Sequence, residues 1–88
     1  MDPGILSQKL ARLFAVEYKL FAALDRLAEA RADHAVILAL YEKGLADAEE
    51  IAVKRAKLNG LEHKFRELRR ELVNAQDAIS DHLERAPS

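Results

Sequence analysis

Cysteine is absent from this 88-residue sequence. Its absence excludes disulfide bonds, zinc–thiolate sites and thiol nucleophiles. Long apolar runs are also missing, and none approaches the roughly 20 residues that a membrane-spanning helix needs. The first residues, Met1-Asp2-Pro3-Gly4, lack the basic start of a secretory signal. We therefore predict a cytoplasmic protein with no membrane partner.

Glycine and proline, which interrupt regular structure, occur only three times and twice. Half of the residues are apolar and 33% are charged. This composition is typical of long helices, so the sequence predicts an all-α protein. Its length predicts a single domain, residues 1–88, with flexible ends at 1–4 and 86–88. A monomer this small buries a modest fraction of its surface, which favours self-association.

The clearest pattern lies between Leu61 and Leu83. Apolar residues recur there at alternating steps of four and three, which is heptad spacing. They are Leu61, Phe65, Leu68, Leu72, Ala75 and Ile79. Charged residues occupy most positions between them. We expect a helix that packs against one main partner along this narrow strip.

The first helix, beginning near Ile5, has two apolar stripes. One consists of Leu6, Leu10, Leu13, Leu20, Leu24 and Leu27, and the other of Ala11, Phe14, Tyr18, Phe21 and Ala28. A face this wide implies two neighbours. Glu17 falls in the first stripe, where a buried carboxylate is costly unless it is paired. We interpret Glu17 as an edge residue that reaches solvent or an arginine, or alternatively as a polar residue that fixes register or oligomeric state.

Helix-capping and helix-ending residues divide the chain into three predicted helices of similar length. Asp33 is a candidate N-cap, and Asn59-Gly60 is the strongest helix-ending pair. The predicted helices span about 5–31, 34–58 and 61–85, as an antiparallel three-helix bundle or a helical hairpin with coiled-coil-like packing. The competing arrangement is one continuous helix from Ile5 to near Leu58. Gly44 is interpreted as a close helix contact, with a kink or a true break as the alternatives.

Few residues point to chemistry. No histidine has a glutamate three positions before it, as carboxylate-bridged metal sites in helical bundles require. We therefore expect no catalytic residue, no metal, no cofactor and no small-molecule substrate, and we predict an ion pair between His63 and Glu67. Aromatic side chains instead suggest a partner-binding face, with core packing as the alternative. With Glu17, the residues of that face are Phe14, Tyr18 and Phe21.

Charge is unevenly distributed, although the net charge is only −1. Residues 25–50 contain seven acids and three bases, whereas residues 51–70 contain seven bases and two acids. Such a basic region can contact phosphates or an acidic protein surface, including residues 25–50 of a second copy. The basic residues are Lys54, Arg55, Lys57, Lys64, Arg66, Arg69 and Arg70.

One enzyme family offers a remote alternative. Arg26, Lys43, Lys54 and the pair Arg66-Glu67 stand in an order that resembles the active-site set of the all-helical chorismate mutases. The resemblance implies a dimeric three-helix enzyme that uses neither metal nor nucleophile. Lys43 stands where that family has an arginine, and the chain ends before a final active-site glutamine.

The combination of amphipathic helices and no convergent polar site favours a binding function over an enzyme. We predict a small helical protein-interaction module of the adaptor, secretion-chaperone or phage accessory type. It would form a homodimer or higher oligomer and bind another protein. The alternative is a nucleic-acid-binding helical module that uses the basic residues 54–70.

Overall fold

Two long helices make up nearly all of the chain. In a computed structural model that describes residues 3–85, α1 spans Pro3–Glu42 and α2 spans Ala48–Arg85, with no strand between those limits. Their 40 and 38 residues correspond to about 60 and 57 Å at 1.5 Å per residue. They pack side by side into an antiparallel hairpin of 68 × 14 × 14 Å. The all-α prediction is confirmed, and the hairpin is the observed architecture.

The hairpin turns at residues 43–47. Gly44 has φ +75°, a left-handed conformation that costs other residues energy. The Gly44 N–H donates to the Tyr41 carbonyl at 3.0 Å, and the Leu45 N–H donates to the Leu40 carbonyl at 2.8 Å. This pair of hydrogen bonds is a Schellman motif, the standard glycine-dependent end of a helix. Gly44 is therefore a true break, and its interpretation as a close helix contact was wrong.

The second helix is started by a side-chain cap. The Asp47 carboxylate accepts a hydrogen bond of 2.8 Å from the Glu50 N–H, which would otherwise lack a partner inside the helix. Glu49 and Glu50 in the first turn also favour this end, because the helix dipole is positive there. Together with Gly44, this cap fixes the position of the turn.

The predicted breaks at Asp33 and at Asn59-Gly60 are wrong, and so are the helix limits 5–31, 34–58 and 61–85. Both sites lie inside helices. Each is exposed on the surface of its helix, while the buried face continues past it without interruption. An interior glycine costs about 1 kcal/mol, which is less than continuous burial of apolar residues contributes. One continuous helix from Ile5 to near Leu58 was also wrong, because α1 ends at Glu42.

The contact between the helices follows alternating steps of three and four on both of them. We call these two strips the inner seams, and nearly all of their residues are buried or half-buried. On α1 the inner seam is Leu6, Lys9, Leu13, Val16, Leu20, Ala23, Leu27, Ala30, His34 and Ile37; on α2 it is Ile51, Lys54, Leu58, Leu61, Phe65, Leu68, Leu72, Ala75, Ile79 and His82. The strip predicted for residues 61–79 thus faces the other helix.

The α1 seam differs from the predicted leucine stripe. Val16, Ala23 and Ala30 are buried, whereas Leu24 is 47% exposed and Leu10 is half-buried at the edge. Small side chains on the contact line allow two helix backbones to approach closely. Leu10 and Leu24 of the predicted stripe therefore lie at the flank of the contact, whereas its other four leucines, Leu6, Leu13, Leu20 and Leu27, belong to the inner seam.

Two polar contacts fix the antiparallel alignment. The Lys9 ammonium donates to the Ala78 carbonyl at 3.2 Å, joining the start of α1 to the last turns of α2. Near the middle, Arg31 lies 3.9 Å from the Glu62 carboxylate. The predicted flexible ends include residues 1, 2 and 86–88, which lie outside the described residues, and α1 already begins at Pro3.

Candidate protein-interaction surface

The three aromatic residues predicted to bind a partner lie on the exposed surface of α1. Phe14 is 61% exposed, Tyr18 is 77% exposed and Phe21 is 69% exposed. They do not pack in the core of the hairpin, which was the alternative interpretation. Three exposed rings within eight residues of α1 form the candidate partner-binding face.

Two of these aromatics, Phe14 and Phe21, belong to a second strip with heptad spacing, and Tyr18 lies beside it. We call this strip the outer seam, and its residues recur at alternating steps of four and three. They are Leu10, Phe14, Glu17, Phe21, Leu24, Ala28, Arg31, Ala35 and Leu38. Each is exposed or only half-buried. Helix α1 therefore has two apolar faces, and α2 covers one of them.

Glu17 lies on the outer seam, beside the contact with α2. It is half-buried, so its carboxylate is not enclosed in the hairpin core. Among residues 3–85, ion pairs join Arg31 to Glu62 and His63 to Glu67, and neither of them uses Glu17. The only other charged residue of the outer seam is Arg31, two heptads further along the helix.

The basic residues of α2 do not form one patch. Lys54 is half-buried in the inner seam, whereas the other six are exposed around the helix. The closest grouping is an exposed groove lined by Arg66, Arg69, Arg70 and Val73. These cations are therefore available to an anionic partner, but they are spread along α2.

A larger groove of about 390 Å³ runs along one side of the hairpin. Its charged lining residues carry both signs, and Tyr18 and Leu61 are among its apolar ones. The charged set is Lys19, Arg26, Lys64, Glu67 and Glu71. The basic and acidic side chains of this groove offset each other's charge, so the groove does not favour a strongly charged ligand.

The residues that resemble the chorismate mutase set are not brought together. Arg26 and Glu67 line the large groove, Arg66 lines the groove beside Arg69, and Lys54 lines a third beside Ile37. Lys43 lies in the hairpin turn. Within residues 3–85 of one chain, these side chains therefore line different grooves.

The histidines are dispersed in the same way. His63 Nε2 lies 3.0 Å from the Glu67 carboxylate, which confirms that predicted contact. His34 and His82 occupy the inner seams, and each has a buried Nε2 with no hydrogen-bond partner among the described residues. Nowhere in residues 3–85 do three His, Asp or Glu side chains group so that they could hold a metal ion.

Neither described helix has a stretch that is both long and apolar enough to cross a membrane. No protein-family model matches the chain, and no curated protein or solved structure matches it either.

Sequence reasoning missed the residues that form the turn. Gly44 is followed by Asp47 and Glu50, and Asp-x-x-Glu directly before an apolar run is a helix-start signature. A glycine three residues before such a signature indicates a helix end followed by a helix start. That combination was present in the sequence and could have located the hairpin.

Proposed function

We propose that this protein is a small helical interaction module that self-associates and binds another protein through the outer side of α1. The exposure of Phe14, Tyr18 and Phe21 supports this most strongly. At roughly 200 Å² per aromatic side chain, the three rings together expose about 400 Å². Leu24, which is 47% exposed, adds to the same strip. This area is comparable to the largest apolar patch on a typical soluble monomer, and such patches are often functional.

The thin core of the hairpin supports the same proposal. Its buried residues include three alanines, and no large side chain of residues 3–85 is completely buried. The chain exposes 6622 Å², against about 5,200 Å² for a compact monomer of this mass. Its radius of gyration is 19.7 Å, against about 12 Å for a compact domain of this length. A partner that covers α1 would supply the missing burial.

The heptad spacing of both seams suits coiled-coil-like packing, in which each face of α1 receives side chains of a neighbouring helix. A partner helix with apolar residues at the same spacing would fit the outer seam. The module would then act as an adaptor, secretion chaperone or phage accessory protein in the cytoplasm, where binding is the whole function.

The test compares two surfaces of the same hairpin. Replacing Phe14, Tyr18 and Phe21 together by serine should weaken self-association by about 100-fold, because exposed aromatics of this kind are typical interface hot spots. The matched control replaces Val53 and Val73, which are exposed on α2, by serine. Sedimentation velocity measures the association, and circular dichroism checks helix content. Equal association of the two variants would show that the proposed face is wrong.

A second candidate function is nucleic-acid binding, favoured by the side-by-side exposure of Arg66, Arg69 and Arg70. Contacts of these cations with phosphates would weaken steeply as salt rises, because counterions are released on binding. Fluorescence anisotropy with labelled DNA and RNA at two salt concentrations tests it. Salt-sensitive binding that disappears when the three arginines become alanine would favour this function over protein binding.

A further inference from the structure

We infer that the outer seam of α1 is covered by the α1 helix of a second copy, running antiparallel about a two-fold axis near Leu24. This pairing rests on the proposed self-association and specifies its partner, direction and register. Three independent features of the outer seam support it: the placement of its charges, the placement of its large and small residues, and the area it leaves exposed.

The charges of the outer seam are placed symmetrically. Glu17 lies seven residues before Leu24, and Arg31 lies seven residues after it. Antiparallel pairing about Leu24 brings Glu17 of each copy to the level of Arg31 of the other, within one helical turn. Parallel pairing would instead place Glu17 beside Glu17 and Arg31 beside Arg31, and like charges across an interface are unfavourable.

Arg31 is able to accept this second partner. Its contact with Glu62 is long, at 3.9 Å, and its side chain remains 61% exposed. The guanidinium has five N–H donors, so a partly exposed arginine can contact two carboxylates. The half-buried Glu17 carboxylate uses neither of the ion pairs found in residues 3–85.

Residue size follows the same symmetry. The large side chains of the outer seam, Phe14 and Phe21, lie before Leu24, whereas Ala28 and Ala35 lie after it. Antiparallel pairing places each phenylalanine at the level of an alanine of the partner copy, so rings meet small residues. Parallel pairing would set Phe against Phe and Ala against Ala, leaving crowding at one end and gaps at the other.

The exposed area suits one such partner. The chain exposes 6622 Å², about 1,400 Å² more than a compact monomer of its mass. A stable dimer interface buries roughly 600 to 1,000 Å² per copy. The excess is therefore large enough for one such contact along α1.

Cross-linking tests the direction, because the chain has no cysteine and each introduced thiol is unique. Leu24→Cys lies at the proposed axis and should cross-link to its own copy with a short bismaleimide. Ala35→Cys should not, since two such positions lie about 33 Å apart along the axis of an antiparallel pair at 1.5 Å per residue. Efficient cross-linking through Cys at position 35 would indicate a parallel pair and overturn the inference.

Charge reversal tests the register. Glu17→Arg and Arg31→Glu should each raise the dimer dissociation constant by about 10- to 100-fold, while the double variant and an equimolar mixture of the single variants should restore it. Glu17→Arg leaves the Arg31–Glu62 contact in place, so it carries the test if Arg31→Glu loosens the hairpin. A dimer that ignores these reversals contradicts the inference but leaves the proposed function standing. In that case, only the variant with serine at positions 14, 18 and 21 would lose association. A monomeric wild-type chain would contradict both the antiparallel pairing and the proposed self-association.

Discussion

Gly44 and Gly60 show at the residue scale how one residue type acts in two ways. Both are exposed, and a Cβ added to either would meet nothing within 4 Å. Gly44 has φ +75° in the turn, whereas Gly60 lies inside α2. The glycine in the turn is therefore required by the backbone, and the glycine in the helix is not.

We predict opposite effects of the same substitution at these two positions. Gly44→Ala should lower the free energy of unfolding by about 1 to 2 kcal/mol, because alanine is strained in the left-handed region. Gly60→Ala should raise it by about 1 kcal/mol, because alanine is the better helix former. Urea denaturation at one fixed protein concentration measures both. Effects of the same sign would contradict the position of the turn.

His34 and His82 place polar atoms in the contact between the helices. Each has a buried Nε2 with no hydrogen-bond partner among residues 3–85, and an unsatisfied buried polar group costs about 1 to 3 kcal/mol. We predict that His34→Leu and His82→Leu will each raise the free energy of unfolding by about 1 to 2 kcal/mol. The control is His63→Leu, which is exposed and loses its contact with Glu67. Destabilisation by both seam substitutions would show that these histidines have polar partners.

At the scale of the element, the buried face of α2 was predictable and its limits were not. The strip from Leu61 to Ile79 is read directly from heptad spacing, and the structure places it against α1. The break before it was expected at Asn59-Gly60, but local signals of that kind are worth only about 1 kcal/mol. The inner seam continues through Leu58 and Leu61. The free energy gained by burying these residues is larger than the cost of Asn59 and Gly60 inside the helix.

Helix α1 posed a different difficulty, since it is apolar on two sides. Leucines and aromatics alternate so that either of two strips could face α2, and periodicity alone does not decide between them. The burial pattern decides, because Val16, Ala23, Leu27 and Ala30 are buried whereas Phe14, Phe21 and Leu24 are exposed. The partner-binding role of the aromatic face stays a prediction, and the burial pattern was needed to show that this face is exposed.

The inner seam of α2 carries a stability prediction. Leu68 is buried, so Leu68→Ala should lower the free energy of unfolding by about 2 to 5 kcal/mol. Val73, five residues further and 52% exposed, supplies the control, and Val73→Ala should change it by about 0.5 kcal/mol or less. Thermal and urea unfolding followed by circular dichroism measure the difference. A loss at Leu68 well under 1 kcal/mol would mean that the seam is not a true core.

At the scale of the whole molecule, the hairpin is long, thin and apolar on one outer side. Its two helices pack against each other, but no further helix of residues 3–85 covers the exposed apolar residues of α1. In the proposed dimer, a second copy covers the outer seam of α1. Stability should consequently rise with protein concentration, because dimerisation stabilises the folded state by mass action.

Sedimentation equilibrium of the wild-type chain over a wide micromolar range tests the proposed dimer most directly. We predict a species of twice the 9.9 kDa chain mass at high concentration, which dissociates reversibly to the monomer on dilution. A mass that stays at 9.9 kDa at the highest concentrations, with the helices intact by circular dichroism, would contradict it.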